Sequence, residues 1–129
     1  MYTNHALNPE DLLTFIELRG FIDDWEGMRL DVEFDLLALQ VAIMAAPKAA
    51  PVIPGTGGLR KLRFSPLGWK TGKRGAIRVC YVYFEEFWTV LLVVAYPKNR
   101  RDNLTQSEKR EISKLIERQH TILSAGRRR

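Results

Sequence analysis

The chain has 129 residues, 46% hydrophobic and 27% charged, the proportions of one globular domain with a modest core. Its one cysteine, Cys80, excludes an internal disulfide framework. No run approaches the roughly 20 apolar residues of a membrane-spanning helix. The net charge of +5 is unevenly divided: residues 1–54 hold three basic and nine acidic side chains, residues 55–103 ten and three, and residues 104–129 seven and three. An acidic first part followed by a basic middle suggests one face for a polyanion and another turned away, and nucleic acid is the commonest polyanion in a cell. Asn4, His5 and Glu10 precede any apolar run, unlike a secretory leader, so a bacterial cytoplasmic protein is the expectation.

In chain order, Asn8-Pro9 favours a turn in a loose lead-in. Leu12 to Phe21 reads as a first strand, and a short helix follows around Ile22 to Met28. Asp31 is placed to cap a clearer helix through Ala46, stopped by Pro47. In it Phe34, Leu37, Val41 and Met44 recur at helical spacing and are expected to face the core. Pro51 to Gly58 is a glycine-rich connector. Its Gly-Thr-Gly-Gly lacks the Lys-Ser/Thr pair of a phosphate loop, so the glycines should supply unusual backbone angles before a strand.

Leu59 to Phe64 alternates, with Leu62 and Phe64 inward and Lys61 and Arg63 outward. Ser65 to Gly75 is a basic loop with Trp69, Lys70, Lys73 and Arg74. Ala76 to Phe84 and Trp88 to Tyr96 form a hairpin across Glu85-Glu86-Phe87, both arms rich in β-branched and aromatic residues. Thr105-Gln-Ser-Glu108 is a capping box opening a last helix, with Ile112, Leu115, Ile116, Ile122 and Leu123 as its apolar stripe.

Several of these segments resemble the RelE/HigB group of toxins from bacterial toxin–antitoxin pairs. They are Val52-Ile-Pro-Gly-Thr-Gly-Gly-Leu-Arg-Lys-Leu-Arg63, Gly72-Lys-Arg-Gly75, Arg78-Val-Cys-Tyr81, Tyr96-Pro-Lys-Asn99 and Asn103-Leu-Thr-Gln-Ser-Glu108. The resemblance runs from about Phe21 to Ile122. It implies a RelE-like α+β fold: a small, mostly three- to four-stranded antiparallel sheet, with two N-terminal helices and a C-terminal helix packed on it. The expected division is a flexible extension over 1–13, the toxin-like domain over 14–123 and a basic tail over 124–129.

The resemblance also implies a ribosome-dependent mRNA endoribonuclease acting in the A site, and a small antitoxin that holds it inactive. By position, the family's catalytic cations correspond to Lys61, Arg63 and Arg78, with Lys98 just past the last strand. Cys80 and Val82 flank Tyr81 where related chains often carry adjacent tyrosines, so Tyr81 and Tyr83 stand as alternatives for one another.

The residue types permit that chemistry. His5, His120 and Cys80 are scattered, without carboxylates at ligand spacing, so neither a metal site nor another cofactor is expected. His120 is expected on a solvated helix face. Without a metal, the RNA's own 2′-hydroxyl becomes the nucleophile. Arg63 and Arg78 suit a phosphate's oxygens, and Lys61, among Arg60, Arg63 and Arg78, is the base candidate. Tyr81, Tyr83 or Lys98 could protonate the leaving oxygen. Arg60, Trp69, Lys70, Lys73, Arg74 and Tyr83 are the further RNA-binding residues, although Trp69 would serve equally as a loop anchor. Two other readings stay open at this stage: a ParE-like inhibitor of DNA gyrase without nuclease activity, and a plain RNA-binding module.

Overall fold

Two antiparallel ladders and one parallel one join four strands into a single sheet, in the order β1-β4-β3-β2. The structure is a computed structural model and describes residues 12–66, 76–97 and 103–127. In chain order its elements are β1 (Thr14–Glu17), α1 (Arg19–Gly27), α2 (Phe34–Ala45), β2 (Arg60–Phe64), β3 (Ile77–Phe84), a 3-10 turn (Glu85–Phe87), β4 (Thr89–Pro97) and α3 (Gln106–Arg127).

The α+β architecture agrees with the sequence reading, including the β3–β4 hairpin across Glu85–Phe87. One correction concerns strand direction. The sheet is mixed rather than antiparallel, because β1 runs parallel to β4, Thr14 beside Thr89 through Glu17 beside Leu92. A parallel partner cannot be joined by a tight turn, so this pairing closes only after two helices and two strands have intervened.

The sheet separates two apolar clusters. On one face Phe64, Ile77, Val79, Tyr81, Val90 and Leu92 meet α1 and α2. Phe21 and Trp25, one helical turn apart, stack at 5.3 Å in that layer, and the Trp25 indole N–H donates to the Asp31 carbonyl at 3.0 Å. On the other face Cys80, Val82, Phe84, Leu91 and Tyr96 meet Ile116, with Ile112, Leu115 and Leu123 of α3 packed around them. Cys80 is therefore a buried thiol of the core. Beyond the end of β1, Asp24 Oδ2 accepts the Ala95 N–H of β4 at 3.0 Å, so a helix carboxylate satisfies a donor that β1 is too short to reach.

Three helix details depart from expectation. The buried side chains of α2 are Leu36, Leu39 and Ile43, whereas Phe34, Leu37 and Val41 are 69%, 55% and 53% exposed. The sequence Phe-Asp-Leu-Leu-Ala-Leu-Gln-Val-Ala-Ile-Met-Ala is apolar around almost its whole circumference. Periodicity therefore offers two equivalent stripes, and packing selects the other one. Asp31 does not cap α2 directly. Its carboxylate accepts the Glu33 N–H at 2.7 Å, and its own N–H donates to Asp35 Oδ2 at 3.0 Å, which shapes the turn before the helix. The α3 capping box is reciprocal as expected, with the Thr105 N–H donating to Glu108 and the Glu108 N–H donating to Thr105 Oγ1. Ile122, expected in the α3 stripe, is exposed.

The choice of stripe on α2 has a direct readout. Leu39→Ala should lower unfolding stability by about 2–5 kcal/mol in urea titration. Leu37→Ala should stay within about 0.5 kcal/mol. The reverse order would place the core on the other stripe.

Candidate nucleic-acid interface

The site begins in the connector before β2. Gly55, Gly57 and Gly58 take φ of 82°, 82° and 122°, in the region that side chains with a Cβ disfavour. At Gly57 a Cβ would also lie 3.1 Å from Ser113 Oγ of α3. Buried Thr56 closes the turn: its hydroxyl donates to the Ile53 carbonyl at 2.6 Å and accepts the Leu59 N–H at 3.0 Å. The chain then folds back on itself. The Ile53 N–H donates to Leu59 O at 2.8 Å and the Lys61 N–H to Pro51 O at 3.0 Å, so residues 51–53 cover the outer edge of β2.

Alternation along β2 then sets its faces. Leu62 and Phe64 enter the α1–α2 layer, and Lys61 and Arg63 point to the face that carries α3. The register with β3 places Lys61 opposite Cys80 and Arg63 directly opposite Arg78. On β4, Arg78 is in turn opposite Tyr96. Arg63, Arg78 and Tyr96 thus form one row across three strands, with Lys61 two residues along. The row lies on the side of the sheet where α3 covers the neighbouring apolar positions.

This arrangement is unfavourable for folding alone. Like charges directly opposite one another on a sheet destabilise it. In addition, Nη1 of Arg78 is buried and has no hydrogen-bond partner among the described residues. A charged donor left in that state costs at least about 1–3 kcal/mol. A bound anion between Arg63 and Arg78 would offset both penalties, since a phosphate accepts several charge-assisted hydrogen bonds at once.

The other expected site residues divide into two groups. Arg60, Tyr81 and Tyr83 lie on the opposite face, toward α1 and α2. Arg60 Nη1 donates to the Lys48 carbonyl at 3.0 Å and the Ala50 carbonyl at 2.7 Å, and the Tyr81 hydroxyl donates to the Pro47 carbonyl at 2.8 Å. These two cross-strand neighbours clamp residues 47–50 and do not join Lys61, Arg63 and Arg78. Burial pushes the Tyr81 phenol above its ordinary value, and the Arg60 charge opposes part of that shift. Lys98, Trp69, Lys70, Lys73 and Arg74 lie outside the described residues.

Tyr96 is the residue that the sequence reading passed over. It stands in the motif Tyr96-Pro-Lys-Asn99, but only the β3–β4 register puts it beside Arg78. His120 is half exposed but faces the 3-10 turn instead of open solvent: Nε2 is 3.0 Å from Glu86 Oε1 and the ring meets Phe87 edge-on at 5.4 Å. A groove of about 1030 Å³ opens beside it, between α3 and the Val82–Glu86 end of β3. Arg60 and Tyr83 reach its rim and line it with Lys114 and Arg118, whereas Lys61, Arg63 and Arg78 do not. Among the described residues no three His, Cys, Asp or Glu side chains group so as to hold a metal ion.

No family model matches the chain. Among solved structures it is similar to an arginine-to-alanine double mutant of the Escherichia coli toxin RelE in the free state, at 14% identity and a TM-score of 0.47, over 67% of this chain and 83% of that one. It is also similar to a metal-bound toxin from Helicobacter pylori, at 18% identity and a TM-score of 0.36, over 70% of this chain and all of that one.

Two measurements check the geometry. Arg78→Met keeps the stem and removes the charge, so it should raise the melting temperature while reducing by about one the slope of log RNA affinity against log salt. A lower melting temperature would mean that Arg78 is a structural residue. For Tyr81, the raised folded value means stability that is present below the unfolded phenol's value near 10 and is lost as pH rises through the folded one. Tyr81→Phe should therefore flatten the alkaline fall in stability, read by urea titration at about pH 8 to 11.

Proposed function

We propose that this protein is the toxin of a toxin–antitoxin pair and acts as a ribosome-dependent mRNA endoribonuclease. The observation that carries the proposal is the opposition of Arg63 and Arg78 on the face they share with Lys61, together with the buried Nη1 of Arg78, which has no partner among the described residues. A sheet that tolerates this repulsion has a reason outside folding, and a scissile phosphate is a chemically sufficient one. The resemblance carried by Gly55 to Arg63 and by Asn103 to Glu108 points the same way.

In the proposed reaction Arg63 and Arg78 hold the non-bridging oxygens and stabilise the charge that develops on the phosphorane. The ribose 2′-oxygen attacks phosphorus as its proton passes to the Lys61 amine, the candidate base. The bond from phosphorus to the 5′-oxygen breaks, and that oxygen takes a proton from Tyr96, or from Lys98 immediately after β4. The products are a 2′,3′-cyclic phosphate and a 5′-hydroxyl. Tyr81 and Tyr83 have no part in this scheme, because the sheet lies between them and the cations. The row contains no histidine, so the ribosome would contribute by holding the mRNA in an in-line geometry. The antitoxin, the ribosomal A site and the mRNA are the partners of this reading.

The test is 5′-end mapping of mRNA in a reconstituted translation reaction. Wild-type protein should create new 5′-hydroxyl ends within the reading frame only when ribosomes are present. Arg78→Ala should reduce them about 100-fold or more, the typical effect of removing one preorganised donor to developing charge. Unchanged cleavage by Lys61→Ala would remove Lys61 from the chemistry. Intact mRNA beside stalled gyrase would replace the nuclease reading with gyrase inhibition.

A further inference from the structure

Among the described residues, the outer face of α2 carries three of the exposed large apolar side chains. Phe34, Leu37 and Val41 recur at spacings of three and four residues and are each more than half exposed, and Val32 extends the strip at 48% exposure. Exposed apolar side chains scattered singly need no explanation, but a stripe along one helix face marks a contact surface. The inner face of α2 is already occupied by the core through Leu36, Leu39 and Ile43, so the stripe is additional to what the fold requires.

Charge selects among the things that could cover it. The stretch from Asp23 in α1 to Glu33 before α2 exposes Asp23, Glu26, Asp31 and Glu33 against one cation, Arg29, and residues 1–54 hold nine acidic and three basic side chains. Lys48, at the far end of α2, is paired with Glu85. A second copy of this chain would bring the same acidic segment against itself, and an anionic lipid surface would be repelled in the same way. A basic partner is attracted. The geometry of the stripe, a seam along a helix of 12 residues, fits another helix.

We propose that the exposed face of α2 docks an amphipathic helix of a partner protein, with an apolar seam along Phe34, Leu37 and Val41 and basic residues beside Asp31 and Glu33. This inference goes beyond the proposed nuclease function and does not depend on it. The docking face and the Lys61–Arg63–Arg78 face lie on opposite sides of the sheet. The partner helix and an anionic ligand therefore bind together, and any control that this partner exerts is not by covering the cations.

The probe is a synthetic helix of about 18 residues, five turns, with leucines on one seam and lysines flanking it. A second peptide keeps the seam and replaces the lysines by glutamates. Titrations of the full chain, followed by fluorescence anisotropy at low salt, should show the lysine peptide binding about tenfold more tightly than the glutamate peptide. Leu37→Asp and Val41→Asp should each weaken the lysine peptide about tenfold, with melting temperature and RNA affinity unchanged. A labelled RNA oligonucleotide should bind equally well with and without saturating peptide.

Equal affinity for the two peptides, no binding of either, or competition between peptide and RNA would overturn the proposal. So would a dimer in analytical ultracentrifugation that Leu37→Asp dissolves, which would assign the face to a second copy.

Discussion

The pairing register of β2 with β3 is the constraint on which the candidate site depends. Side chains on a strand alternate with a period of two, so a slip of one residue would carry Lys61 and Arg63 into the α1–α2 layer and Leu62 and Phe64 out of it. Burying those cations would cost far more than the repulsion between Arg63 and Arg78 in the native register. The hairpin of residues 51–61, with its positive-φ glycines and the Thr56 hydroxyl bridge, adds a second lock by holding the outer edge of β2 in place. The cationic row is thus enforced by the apolar residues that alternate with it.

The same alternation divides labour between the two sides of the sheet. One side holds α1 and α2 with the exposed Asp23, Glu26, Asp31 and Glu33. The other holds α3, which covers Cys80, Val82, Phe84 and Leu91 around Ile116 and lies alongside the row of Arg63, Arg78 and Tyr96. A single layer of backbone therefore separates the row of Lys61, Arg63 and Arg78 from the helices α1 and α2. The residues that straddle the two roles are Arg60 and Tyr81. Both come from strands that carry the site, yet their polar atoms bind the carbonyls of Pro47, Lys48 and Ala50. They secure the segment that leads from α2 into the glycine turn, and through it the edge of β2.

Several features were legible from local pattern because their physics is local. The reciprocal Thr105–Glu108 cap, the β3–β4 hairpin, the glycine turn and the outward facing of Lys61 and Arg63 all depend on residues within a few positions of one another. The cluster of Lys61, Arg63 and Arg78 could be anticipated as a set of cations on neighbouring strands. Alternation along β3 already separates Tyr81 and Tyr83 from Arg78, but the place of Tyr96 beside Arg78 depends on the β3–β4 register, which shifts at Cys80/Tyr81.

What the sequence by itself determined is the inventory and its short-range order: a basic middle, an acidic beginning, the cap of α3, the turns and the alternation along each strand. Tertiary structure alone decided the parallel placement of β1 beside β4, the stripe of α2 that is buried, the diversion of Arg60 and Tyr81 to a structural clamp, and the row joining Arg63, Arg78 and Tyr96. The reason is the same in each case. A helix apolar on all sides and a strand without a hairpin partner have several equivalent local solutions, and only long-range packing separates their energies.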